Sequence, residues 1–115
     1  MAKYMGLYMG TVPEKPAEGA RSDEGREMMA RGMAAWGEWG ERYKSVIVDA
    51  GGPMGKTRKV SSAGIAPFKN MLTGYVIVEA DSLDAAAKIF EDHPHFTIFP
   101  GDSVEVVEIF DMPEM

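Results

Sequence analysis

Residues 3–9, KYMGLYM, alternate: Met5, Leu7 and Met9 fall to one side and Tyr4, Gly6 and Tyr8 to the other. Strict alternation with aromatics predicts a strand with both faces covered. Residues 10–22 carry two prolines, two glycines and several charges, which predicts a loop. From Asp23 to Tyr43 the period lengthens. Met29, Met33, Trp36 and Tyr43 fall three, four or seven apart, the stripe of an amphipathic helix. Ser22 and Asp23 suit its N-cap, and Asp23 and Glu24 suit the positive end of its dipole. Gly25, Gly32, Gly37 and Gly40 each weaken it by roughly 1 kcal/mol relative to alanine, so the helix depends on tertiary packing.

Val46–Asp49 then reads as a short strand, Ala50–Pro53 as a turn, Lys56–Ser61 as a further strand and Gly64–Met71 as loop. Thr73–Ala80 is the strongest strand pattern, with Tyr75 and Ile77 opposite Val76 and Val78 and both faces apolar. Asp81 and Ser82 cap a second helix, in which Leu83, Ala86, Ala87 and Phe90 keep helical spacing up to Pro94. Phe96–Phe99 and Val104–Phe110 close the chain as extended segments. The change of phase at Val106–Val107 predicts a bulge there.

The predicted order is β-α-β-β-β-α-β-β over a single domain, residues 1–115, with two βαβ-like halves around one sheet. That pattern predicts an α+β fold, a ferredoxin-like sandwich with its helices on one face. The other face also carries apolar side chains. A second copy packed face to face would cover them and form a dimeric α/β barrel, so a homodimer is expected.

With 12 Lys+Arg against 18 Asp+Glu, the net charge of −6 argues against nucleic acid as partner, because such binding requires cations to neutralise phosphates. The absence of cysteine excludes disulfides, thiolate metal sites and cysteine nucleophiles. No apolar run has the length of a membrane span or of a signal segment, so a cytoplasmic protein without membrane association is expected. Residues 50–57, AGGPMGKT, imitate a phosphate-binding loop. Such a loop needs a helix beginning at the lysine, whereas RKVSSAGIAP follows and Pro53 removes one amide of the cradle. These residues read instead as a glycine-rich turn before a basic strand.

Only two histidines occur, His93 and His95, in EDHPH. Two apart in an extended segment, they project to the same side and can converge. Histidine moves protons near neutral pH, and Asp49, at the end of a short apolar strand, is a candidate to orient one imidazole. A metal held by both histidines with Glu91 or Asp92 is disfavoured, since adjacent acids at a helix end rarely all face inward; no metal or cofactor is expected. The alternative for the histidines is a solvated loop with His93 capping helix carbonyls. Trp36 and Trp39, three apart on the first helix, either wall an aromatic pocket or fill core.

The opening KYMGLYM, the turn Gly51-Gly52-Pro53, the segment LTGYVIVEADSLDAA (72–86), His93-Pro94-His95 and GDSVEV (101–106) together resemble the YCII-related family, most of all its DGPF-type branch. The resemblance implies a ferredoxin-like dimeric α/β barrel. For some relatives it implies enzymatic roles, dehydrochlorination in aromatic degradation among them, with a His–Asp pair in a cleft. Many members carry the histidine on the first helix; here Met33 and Trp36 occupy that stretch. His95 sits in the position resembling the Cys-Pro-His of DGPF-type members, and the tetrapeptide itself is replaced by Ala50-Gly51-Gly52-Pro53-Met54.

The expected function is cofactor-free acid/base or elimination chemistry on a small, aromatic molecule. His95 would be the acid/base, Asp49 or His93 its orienter, and Trp36, Trp39 and Tyr75 the pocket walls. The alternative is a non-catalytic homodimeric module that binds a ligand or a partner. An open cleft containing His95 favours the first, and a closed interior packed by Trp36 and Trp39 the second.

Overall fold

In β1 (Ala2–Met9) the alternation holds: Tyr4, Gly6 and Tyr8 are buried while Met5, Leu7 and Met9 are half-buried. The computed structural model describes residues 1–11 and 22–111, so most of the loop expected over 10–22 lies outside the described residues. The further elements are α1 (Asp23–Arg42), β2 (Ile47–Pro53), β3 (Thr57–Ser61), β4 (Gly64–Phe68), β5 (Leu72–Ala80), α2 (Leu83–Ile89), α3 (Pro94–Thr97) and β6 (Ser103–Ile109).

The main sheet has the order β2-β5-β1-β6, with every pairing antiparallel. Two split βαβ units produce this order: α1 carries the chain from β1 over β5 to β2, and the α2–α3 segment carries it from β5 over β1 to β6. This is the ferredoxin-like α+β fold. The core lies on one face, where Tyr4, Tyr8, Val76, Val78 and Ala80 meet Trp39, Ala86, Ile89 and Phe90 from the helices. Gly6 is required there, because a Cβ on it would come within 2.5 Å of the Phe90 ring. Serines cap both longer helices: Ser22 Oγ accepts from Gly25 N–H and Ser82 Oγ from Ala85 N–H, each at 3.0 Å.

Several expectations are corrected. Gly64–Phe68, expected as loop, is β4; it pairs in register with β3 from Thr57↔Phe68 to Ser61↔Gly64. This hairpin is exposed over almost its whole length and stands away from the main sheet. The radius of gyration is accordingly 16.2 Å, against about 13 Å for a compact chain of this length. Ala50–Pro53, expected as a turn, continues β2 past two irregularities, with Gly51 at φ 66°. β6 pairs with β1 without a break (Gly6↔Val106, Met5↔Val107), so the expected bulge is absent there and the irregularities fall in β2 and at Tyr8/Met9. Phe96 and Thr97, expected as extended, belong to α3, which Pro94 starts from a first-turn position where its missing N–H costs nothing.

The buried stripe of α1 is also rotated from the expected one. Met29 and Met33 are exposed, whereas Gly32 and Trp39 are buried. Phe99 decides the rotation, since its ring lies where a Cβ on Gly32 would stand. Among the described residues no helix is long and apolar enough to cross a membrane.

Candidate functional site

A cavity of about 580 Å³ opens between the C-terminal half of α1, the ends of β1, β2 and β5, and the start of α3. That volume lies within the usual range of small-molecule sites. Its walls are mainly apolar: Met33, Trp36, Pro53, Gly74 and Phe99. The ionisable side chains among its lining residues are Tyr8, Tyr75 and His95.

His95 reaches this cavity because of how α3 begins. Asp92 adopts φ 54°, a left-handed conformation that an aspartate tolerates, and it turns the chain out of α2 into His93. His93 is the N-cap of α3, and its Nδ1 accepts the His95 N–H at 3.0 Å. The two imidazoles therefore approach through a helical turn and not along a strand. His95 is 8% exposed, and its Nε2 lies 2.8 Å from the Met9 carbonyl oxygen. A carbonyl only accepts, so Nε2 carries the proton and the Nδ1 of a neutral His95 keeps a lone pair. Among the described residues no group hydrogen-bonds that Nδ1, and no buried side-chain nitrogen or oxygen is left without a partner. Nδ1 therefore keeps access to open space, and the cavity is the space that His95 lines.

His93 has a different environment. It is wholly buried, with the ring centroids of Trp36, Trp39 and Tyr8 at 4.5, 4.6 and 5.1 Å and Phe90 stacked at 6.1 Å. Burial in this apolar box, with the nearby His95 charge as a second cause, pushes its pKa down to about 4. Its Nε2 lies 3.2 Å from Tyr8 Oη. Burial likewise raises the Tyr8 phenol well above its ordinary range.

The sequence-predicted residues separate on this geometry. His93, His95 and Trp36 are brought together around Tyr8, whose ring centroid is 4.9 Å from Trp36 and 5.2 Å from His95. Asp49 hydrogen-bonds neither imidazole. Its Oδ1 accepts from Gly51 N–H at 2.8 Å and its Oδ2 lies 3.5 Å from the Tyr75 hydroxyl, so it holds the irregular part of β2. The anchors expected of Asp49 are supplied by the Met9 carbonyl for His95 and by Tyr8 for His93. Trp39 packs into the core against Tyr43, Phe90 and His93, away from the cavity wall. Tyr75 borders the cavity, but its cross-strand pairing with Leu7 puts its ring on the opposite face of the sheet. Among the described residues no three metal-ligating side chains converge, and the His93 Nδ1 is already engaged by a backbone amide.

The family model for the YCII-related domain matches residues 7–113. The chain belongs to the YCII-related domain family. No curated protein sequence matches it. Among solved structures, this YCII-related chain is similar to the 5-chloro-2-hydroxyhydroquinone dehydrochlorinase of Burkholderia phenoliruptrix AC1100, solved in complex with 2,5-dihydroxybenzoquinone. The two chains are 18% identical with a TM-score of 0.51, over 90% of this chain and 89% of the other. At that identity the likeness shows the shared fold. Sequence patterning missed Tyr8 as a site residue. Its place on the buried face of β1, where a phenol needs a polar partner, was the available signal.

The buried neutral His93 has a consequence for stability. Its folded pKa lies below the unfolded value of about 6.5, so its contribution is fully present above pH 6.5. It falls away as pH drops toward about 4, where the folded-state imidazole also takes up a proton. The loss is on the order of 3 kcal/mol. His93→Asn keeps an N-cap acceptor and removes the titration. Urea denaturation of both proteins at pH 7 and pH 4 should show the wild-type advantage shrinking by roughly that amount; an advantage independent of pH would contradict a buried neutral His93.

Proposed function

We propose that this protein binds a small, planar, oxygen-bearing molecule in the cavity and acts on it by acid/base chemistry, with His95 as the proton acceptor. One observation carries this reading. The His95 imidazole lines a cavity of about 580 Å³, its Nε2 tied to the Met9 carbonyl, its Nδ1 bonded to no described group. Trp36 offers a flat apolar wall beside it, suited to an aromatic ring. Membership of the YCII-related family, and a fold shared with a dehydrochlorinase, support elimination as the reaction class. In that reaction the proton of the hydroxyl beside the chlorine-bearing carbon moves to that carbon, and Nδ1 takes the proton of the hydroxyl para to the first as the C–Cl electron pair leaves with chloride, giving a quinone by net loss of HCl. A positioned histidine base contributes about 10²–10⁴-fold to such a step.

We further propose a cytoplasmic homodimer. Met5, Leu7, Ile77 and Val107 leave an apolar stripe on the sheet face away from the helices, which a second copy would cover as in a dimeric α/β barrel.

A second reading, a non-catalytic ligand-binding module, is favoured by the lack of any carboxylate among the described cavity-lining residues, where the His95 ring is held by the Met9 carbonyl. Chloride release from 5-chloro-2-hydroxyhydroquinone separates the two. The first reading expects turnover by the wild-type protein and a loss of about 100-fold or more in His95→Gln. Equal turnover by both proteins would remove His95 from the chemistry, and binding without release would favour the second reading.

A further inference from the structure

The acid/base chemistry proposed for His95 makes no use of Tyr8 or His93, yet the two form a buried side-chain pair at the cavity. The hydrogen-bond inventory of that pair fixes where its protons are. His93 Nδ1 accepts the His95 backbone N–H, so it carries no proton. A neutral imidazole has one N–H, which must then be on Nε2. That nitrogen lies 3.2 Å from Tyr8 Oη and therefore donates to it. The Tyr8 oxygen is thus an acceptor in its bond to His93, and its own hydrogen has no acceptor among the described residues. A buried phenol O–H without an acceptor is costly in a folded protein unless something fills the direction it points in.

We propose that Tyr8 is the group that recognises an oxygen acceptor on the bound molecule, a carbonyl or an enolate or phenolate oxygen, and that His93 is the positioning residue that turns the phenol proton toward it. The proposal rests on the small-molecule reading given above and adds to it the chemistry of the ligand. Tyr8 supplies a donor and His95 Nδ1 an acceptor, on rings whose centroids are 5.2 Å apart. One ligand can therefore meet both with an oxygen acceptor and a nearby hydroxyl. Negative charge that grows on the accepting oxygen as His95 takes a proton would be stabilised by the Tyr8 hydroxyl, in the manner of an oxyanion donor. Burial keeps the phenol protonated through the neutral range and so keeps the donor in place.

Two measurements test this. Nitrogen-15 NMR of histidine-labelled protein at pH 7, without ligand, should show His93 neutral with Nε2 protonated and Nδ1 bare. Protonation at Nδ1 would overturn the proposal, since Tyr8 would then be free to donate to His93. Calorimetric titration of 2,5-dihydroxybenzoquinone into wild-type protein and into Tyr8→Phe, which keeps the ring and removes the hydroxyl, should show affinity weaker by about tenfold or more in the variant. Equal affinity would overturn the role of Tyr8. Because the tautomer is read on the protein alone, the two failures stay distinct. An Nε2-protonated His93 in a protein that takes up no probe would count against the small-molecule reading; an Nδ1-protonated His93 would count against the role of Tyr8 whatever binds.

Discussion

Trp39→Ala is expected to cost about 4 kcal/mol of folding free energy, and Trp36→Ala less than half of that. The two tryptophans are three residues apart on one helix and look equivalent in sequence, but they differ in what they hold. Trp39 is 9% exposed, donates its Nε1–H to the Ile89 carbonyl at 2.9 Å, and packs against Tyr43, Phe90 and His93. Its truncation would open a cavity under the sheet's helices and leave a carbonyl of the last turn of α2 without its partner. Against a total stability of about 5–15 kcal/mol for a domain, that loss is large. Trp36 is only half-buried and borders the cavity, so under the proposed function its removal should instead weaken binding of an aromatic probe. Urea denaturation of both variants, with a binding titration on Trp36→Ala, reads the difference. Equal destabilisation would contradict the division of these side chains between core and site.

Gly101→Ala should cost about 2–3 kcal/mol and release His95. A Cβ at this position would fall on the His95 imidazole, at Cε1 and Nε2, and on the His95 carbonyl oxygen. The carbonyl is backbone, held by the Gly101 N–H at 2.9 Å, so it cannot rotate aside. Relief requires the loop after α3 to move, and with it the bond between Nε2 and the Met9 carbonyl that fixes the His95 tautomer. Gly40→Ala is the contrasting case. Nothing lies within 4 Å of a Cβ there, and in a helix the change should stabilise by up to about 1 kcal/mol. Thermal unfolding of the two variants should move in opposite directions, and a Gly101→Ala protein as stable as wild type would contradict the tight seat described for His95.

The central strands were legible because each obeys one rule throughout. In β1 and β5 the alternation of side chains coincides with the alternation of burial, down to Val76 and Val78 on the core face. The ferredoxin-like order followed from placing the two helices between such strands. What was not legible depended on partners distant in sequence. Gly32 sits on the buried stripe of α1 to admit the Phe99 ring, and a hydrophobic period cannot count a glycine as core, so the period places Met29 and Met33 on a buried face that they do not occupy. β4 contains Gly64 and Pro67, which read as loop until β3 is available to pair with it. His93 and His95 were recognisable as a pair, but the α3 turn that joins them arises from an N-cap bond made by an imidazole, a role more often filled by serine, threonine, aspartate or asparagine. Asp49 was a reasonable orienter by its position at a strand end. The irregularity of β2 turns its carboxylate to Gly51 and Tyr75, and two groups from other elements, the Met9 carbonyl and the Tyr8 phenol, anchor the histidines instead.

The claim on which the rest depends is that the cavity beside His95 is the site where a small aromatic molecule binds. The most direct measurement is a nitrogen-15 and proton NMR titration of the folded protein with 2,5-dihydroxybenzoquinone, following the His95 imidazole and the Trp36 indole. The largest shifts should fall on His95 Nδ1, on Trp36 and on the backbone of Gly74, with the exposed β3–β4 hairpin unmoved. Shifts confined to the hairpin, or none at His95 under conditions where the probe saturates, would contradict it.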